Sequence, residues 1–204
     1  MFESLLEPKE FRWPRSGDQL IRPATHWETG AELVQDTFSR TTFLWGGYMQ
    51  AGARLVESAR ELRADKHAIV YPILFCYRHG LEIAMKWTLT TYGRFADVEE
   101  YDKDHRLDKL WRSTRKLIVE CGGGIDPEGA VEAVEAIVME FHKLDRTSFS
   151  FRYAITKQGD TVELPNFAID LENVRDVMEG VDGFFKGLDG MLDHNTRSGY
   201  YDDP

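Results

Sequence analysis

Apolar residues recur at helical spacing along most of the chain, and they are densest in Lys66–Tyr92, KHAIVYPILFCYRHGLEIAMKWTLTTY. At 100° per residue, Ile69, Val70, Ile73, Leu74, Cys76, Tyr77, Leu81, Ile83, Ala84, Met85 and Trp87 cover more than half of the circumference. Such a pattern predicts a helix buried on most sides. Pro72 predicts either a kink or a start near Tyr71, and Gly93 the end. Upstream, Leu44, Tyr48, Ala51, Leu55, Ser58 and Leu62 predict an amphipathic helix ending near Leu62 or Arg63, weakened at its start by Gly46 and Gly47. A shorter helix around Gly30–Phe38 precedes it.

Downstream, Asp104 reads as an N-cap, and Leu107, Leu110, Trp111, Thr114, Leu117 and Ile118 as one buried face. Gly122-Gly123-Gly124 stops that helix. Asp126-Pro127 restarts another, with Val131, Val134, Ile137, Val138, Phe141 and Leu144 as its stripe. Asp170 caps a last helix whose Leu171, Val174, Met178, Val181, Phe185, Leu188 and Leu192 repeat in threes and fours, with a frayed tail after His194. Between the last two helices, Ser148–Ile155 and Thr161–Leu164 alternate around a Lys157–Asp160 turn, a β-hairpin signature over about 148–164. Residues 1–27 hold Pro8, Pro14 and Pro23 with Phe11, Trp13 and Trp27, and predict an irregular arm packed on the domain. The expected fold is all-α: one domain over 1–204, an up-and-down bundle of four to five long helices with a hairpin before the last.

Composition narrows the setting. The 204 residues are 42% hydrophobic and 29% charged, with a net charge of −10. That profile is globular and argues against broad, non-specific nucleic-acid binding, though not against a local basic surface. Arg78 and His79 interrupt the longest apolar run, so no membrane span is expected. MFESLLEPKEF lacks a basic leader segment, so no signal peptide is expected either. Two cysteines, Cys76 and Cys121, fit a reduced, cytoplasmic protein.

The candidate chemistry sits on the central helix. Arg78, Glu82 and Lys86 follow one another at intervals of four, with His79 beside them. Both pairings are favourable, so a self-satisfied ladder on a half-exposed strip is one reading. The other is a polar pocket facing a neighbouring helix, where burial demands a further partner such as a phosphate, a second subunit or Arg152. The next helix is the most basic stretch of an acidic chain. His105, Lys109, Arg112 and Lys116 share one side of its wheel, either as a solvated face or as an anion-binding or RNA-backbone surface. Phe149-Ser-Phe-Arg-Tyr153 brackets Arg152 with aromatics, which either anchor the hairpin or carry Arg152 and Tyr153 over the polar strip. Neither HExxH, paired ExxH, Cys-x-x-Cys, Walker A, GxGxxG nor G-x-S-x-G occurs, so no metal and no cofactor is expected.

Tyr77-Arg-His-Gly-Leu-Glu-Ile-Ala-Met-Lys86, a polar loop, and Asp104-His-Arg-Leu-Asp-Lys-Leu-Trp111 together resemble the HEPN superfamily. The Phe-Arg-Tyr segment also resembles uncharacterised bacterial HEPN-like proteins. The resemblance implies a helical bundle, often dimeric, that cleaves RNA in toxin–antitoxin or antiviral defence systems or handles nucleotides beside a partner encoded nearby. HEPN ribonucleases carry an Arg followed, after four to six residues, by a His. Here Arg63–His67 and Arg22–His26 enclose three residues each, and neither pair fits that spacing. The expectation is therefore a binding or assembly module engaging RNA, a nucleotide or a protein partner through Arg78, Glu82, Lys86, His105, Lys109, Arg112, Arg152 and Tyr153. Its alternative is a divergent, metal-independent RNase that uses His105 or His79 with Arg78 or Arg152. A homodimer is expected through a helical face. Gly180, Gly183, Gly187 and Gly190 of the last helix invite either a second copy or the arm.

Overall fold

The computed structural model describes residues 13–61, 65–99, 101, 104–122, 129–146, 148–155 and 159–198. The chain divides into two compact units, Met1–Val34 and Gln35–Pro204. In the first, Asp18 Oδ2 accepts the Arg15 amide at 2.8 Å across a turn, and Trp27–Thr29 forms one 3₁₀ turn.

Among the described residues, the second unit is an all-α bundle of five helices: α1 (Thr37–Glu61), α2 (Lys66–Tyr92), α3 (Leu107–Cys121), α4 (Ala130–Leu144) and α5 (Leu171–Ser198). No helix among the described residues is long and apolar enough to cross a membrane. Helix α2 packs on α1, α3 and α5. Its buried residues include Ile73, Leu74, Leu81, Ala84, Met85 and Leu89. The leucine, isoleucine and methionine side chains among them each contribute on the order of 1.5–3 kcal/mol when fully buried. The helix is continuous through Pro72, which lies exposed in its early turns. Gly93 does not end α2 in a left-handed conformation. It continues into a 3₁₀ turn, Gly93–Ala96, and the left-handed residue is Asp97 at φ 49°. Gly93 is needed for space: a Cβ there would lie 3.1 Å from the backbone of Val98 and Glu99.

Three sequence expectations are corrected. Helix α1 is a single element from Thr37, without a separate helix over 30–38. It buries Trp45, Met49, Gly52, Val56 and Ala59, one residue on from the 44-48-51-55-58 face. Gly52 sets this register, because it admits the Tyr77 ring, which a Cβ would meet at 2.8 Å. The hairpin is not supported: among the described residues there is no strand, only one isolated antiparallel bridge between Ile155 and Thr161, and Lys157 and Gln158 of the expected turn lie outside them. Instead, Asp145 Oδ1 accepts the amides of Phe149 (2.7 Å) and Ser150 (3.0 Å), and the Arg152 and Tyr153 amides turn back onto the Phe149 carbonyl. A carboxylate that gathers backbone donors closes a turn where alternation alone favours a strand.

The remaining faces follow the spacing. Helix α3 buries the six residues named for it. Helix α4 buries Val131, Val134, Val138 and Phe141 and adds His142; the Asp126-Pro127 restart lies outside the described residues. Asp170 Oδ1 caps α5 through the amides of Glu172 and Asn173, both at 3.1 Å, and the helix runs past His194 to Ser198. Asp189 ties α5 to α2, accepting Trp87 Nε1 at 3.0 Å and the Tyr92 hydroxyl at 2.9 Å.

Candidate functional site

On α2, Phe75, His79, Glu82 and Lys86 lie along one stripe, with Arg78 at its inner edge. The inner part is closed. The Arg78 side chain is 0% exposed and Glu82 is 1% exposed, and they pair at 2.9 Å between Nη1 and Oε2. Arg78 Nη2 donates to the His105 carbonyl at 2.6 Å, and Nε donates to the Asp145 carbonyl at 3.1 Å. Asp145 Oδ2 lies 3.3 Å from the same Nε, close enough for charge attraction but not aligned as a hydrogen bond. One guanidinium thus ties α2 to the segment before α3 and to the end of α4. Buried charges are tolerable only with such complete pairing.

The outer part opens to solvent. Glu82 Oε1 accepts Lys86 Nζ at 2.7 Å and faces His105 Nδ1 at 2.8 Å. The Lys86 and His105 side chains are 25% and 56% exposed. Burial alone pushes the Glu82 carboxyl upward. Hydrogen bonds and charge from Lys86, His105 and Arg78 outweigh that and hold it below the ordinary range, so it is ionised. His79 is driven the other way, its burial outweighing the attraction of Glu82 and keeping the ring neutral.

Beside this edge runs a column of rings. His79 stacks on Phe75 (centroids 5.6 Å, planes 11° apart) and meets the edge of Tyr48 at 4.5 Å. The Arg152 guanidinium lies 5.8 Å from the Phe75 centroid and 5.5 Å from that of Tyr153. Tyr153 in turn stacks on Phe149 at 4.4 Å. Arg152 is held there by the Ser148 carbonyl, which accepts from both Nε and Nη2. Ser148 supplies that carbonyl from a left-handed conformation, φ 61°.

The structure therefore brings Arg78, Glu82, Lys86 and His105 into one network and places His79, Arg152 and Tyr153 along its margin. Arg152 reaches Phe75 rather than the carboxylates. Lys109 and Arg112 do not join the network. His105 precedes the first turn of α3 and so lies off the helical wheel that would align it with them. The basic face of α3 is largely matched by acids: Arg106 with Asp108, Lys109 with Asp104 (3.9 Å), Arg115 with Glu132 and Glu135, and Lys116 with Glu120 (3.7 Å). Sequence reasoning missed Asp145 and His142. Asp145 follows the last turn of α4 and opens Asp-Arg-Thr-Ser, a turn signal that points to its capping role. Buried His142 lies 3.4 Å from Asp108, and its own burial outweighs that carboxylate and lowers its pKa. Nothing marked it apart from its place on the α4 stripe. No cluster of three or more His, Cys, Asp or Glu side chains placed to hold a metal ion occurs among the described residues.

No family model, curated protein or solved structure matches this chain.

Proposed function

We propose that this chain is a HEPN-like binding module that takes a nucleotide or single-stranded RNA on the open edge of α2. The observation that carries the reading is the ring column Tyr48–His79–Phe75 with Arg152 and Tyr153, set beside Lys86 and His105. Aromatic and guanidinium planes accept bases with little regard to sequence, and adjacent cationic or polar groups meet the phosphates. Placement in a bacterial stress or anti-phage defence system follows from the resemblance, the cytoplasm from the cysteine usage, and a homodimer from the resemblance together with the α5 glycines. The closed half of the stripe supports a binding role over catalysis, because a guanidinium without exposed surface meets no substrate while the fold is intact. Fluorescence anisotropy with a labelled single-stranded RNA at low salt, in competition with ATP, tests the proposal. Saturable binding that falls about tenfold or more in Tyr153→Ala supports it. The absence of binding in low salt, or binding indifferent to Tyr153→Ala, counts against it. Light scattering at tens of micromolar tests the dimer, with Gly183→Leu/Gly187→Leu locating it on or off the α5 glycines.

One observation favours a second reading, a divergent RNase. An ionised, buried Glu82 beside His105 Nδ1 orients the imidazole and leaves its other nitrogen for proton transfer. RNA cleavage that disappears in His105→Ala, with the fold intact, would establish that reading over the binding module.

A further inference from the structure

A second feature lies between α1 and α5, away from the α2 stripe. A groove of about 600 Å³ is lined by Phe43, Gly46, Gly47 and Gln50 from α1, Tyr77 from α2, and Glu179, Asp182 and Lys186 among the α5 residues. Gly46 and Gly47 keep it open: no atom lies within 4 Å of where their Cβ atoms would stand. Two polar groups of its lining lack partners. Tyr77 is only 2% exposed, and its hydroxyl is buried without a hydrogen bond. Asp182, whose side chain is 17% exposed, gives Oδ2 to Lys186 Nζ at 2.6 Å, while Oδ1 is buried and unbonded. Leaving such groups unsatisfied is costly, and each is an acceptor for a donor arriving from outside. The surroundings select the donor's charge. Glu179 and Asp182 are acidic, and burial and the Glu179 charge push the Tyr77 phenol up to about 12 so that it is uncharged.

We infer that this groove is a binding site for a small alkylammonium compound of the polyamine class, with its ammonium at Asp182 Oδ1 and the Tyr77 hydroxyl and its methylene chain along Gly46, Gly47 and Met178. The inference is independent of the nucleotide reading, which uses the other side of α2. Glycines at 46 and 47 then have a use that offsets their poor helix propensity: a side chain there would fill the space the methylenes take.

Calorimetric titration of the full chain with spermidine at low ionic strength, against an alkanediol of similar length, is the test. The expected result is saturable one-to-one binding of spermidine and none of the diol. Asp182→Asn should weaken binding about tenfold or more, the loss of a charge-assisted hydrogen bond. Gly46→Leu should abolish binding, and because a Cβ there meets no atom within 4 Å it is expected to leave the fold standing even if Asp182→Asn does not. Tyr77→Phe should weaken binding while leaving the melting midpoint of the free protein unchanged, since its hydroxyl has no partner to lose. A fall in that midpoint would mean that the hydroxyl is already bonded, against the proposal. No spermidine binding overturns it. So does binding that Asp182→Asn and Gly46→Leu leave undiminished, which is diffuse attraction to a chain of net charge −10.

Discussion

Arg78 and Arg152 both donate to a carbonyl of the segment that follows α4, Asp145 for one and Ser148 for the other. Arg78 is sealed, its guanidinium shared among Glu82, Asp145 and the His105 carbonyl. Arg152 is exposed and lies against rings. The same donor fork serves as a lock between helices in the first position and as a platform in the second. What separates them is the supply of acceptors: a buried cation requires carboxylates, whereas an exposed one is already solvated and, held by a single carbonyl, keeps its plane against the rings.

The widest contrast is expected on stability. Arg78→Met should cost about 3–5 kcal/mol, because it leaves Asp145 buried without its cation and removes the partner of Glu82 Oε2, with Lys86 remaining only on Oε1. Denaturant unfolding of the two proteins measures this, and a loss below about 1 kcal/mol would mean the lock is not holding the helices. Asp145→Asn keeps an acceptor for the Phe149 and Ser150 amides but loses the charge. It should cost about 1.5–3 kcal/mol and loosen the 148–153 turn, which hydrogen exchange at those amides reads.

Acid should sharpen the same contrast. His79 and His142 have folded pKa values depressed by burial, so their contribution is present above the unfolded value of about 6.5 and is lost as pH falls through the folded values. Glu82 is also depressed, so its contribution is present above about 4.3 and disappears on further acidification. Melting temperatures measured downward from pH 7 should therefore fall first in mild acid and again below the ordinary carboxylate range. A flat profile between pH 7 and 5 would contradict the neutral, buried histidines. The smallest effect belongs to Arg152→Ala, which should change unfolding free energy by no more than about 0.5 kcal/mol, as expected of an exposed side chain.

The physics of these two arginines also explains what was legible in the sequence. Faces set by apolar spacing were readable: the α3 residues Leu107 to Ile118 bury as their period dictates. The α1 face slipped by one residue because Tyr77 needs Gly52, and no one-dimensional pattern reveals a ring on another helix. The Arg78–Glu82–Lys86 line was visible as spacing. Its third partner was not, because Asp145 lies 67 residues from Arg78 and acts as both ion-pair partner and turn cap. The same carboxylate explains why Ser-Phe-Ser-Phe, a strand by alternation, folds as a turn. Arg152 and Tyr153 were candidates for a place over the polar strip. They lie instead along its aromatic margin, where Phe75, marked by no charge, was not foreseen as the contact.

The central claim is that the open edge of α2 takes bases while the closed part only holds the fold. Photo-cross-linking of a thiouridine-substituted single-stranded RNA, with the attachment sites mapped by mass spectrometry, tests it most directly. The account predicts adducts at Tyr153, Phe149, Phe75 or Tyr48, and their loss under competition by unlabelled RNA. Adducts confined to other exposed aromatics, such as Phe43 or Phe167, or competition-resistant adducts spread over the surface, would contradict it.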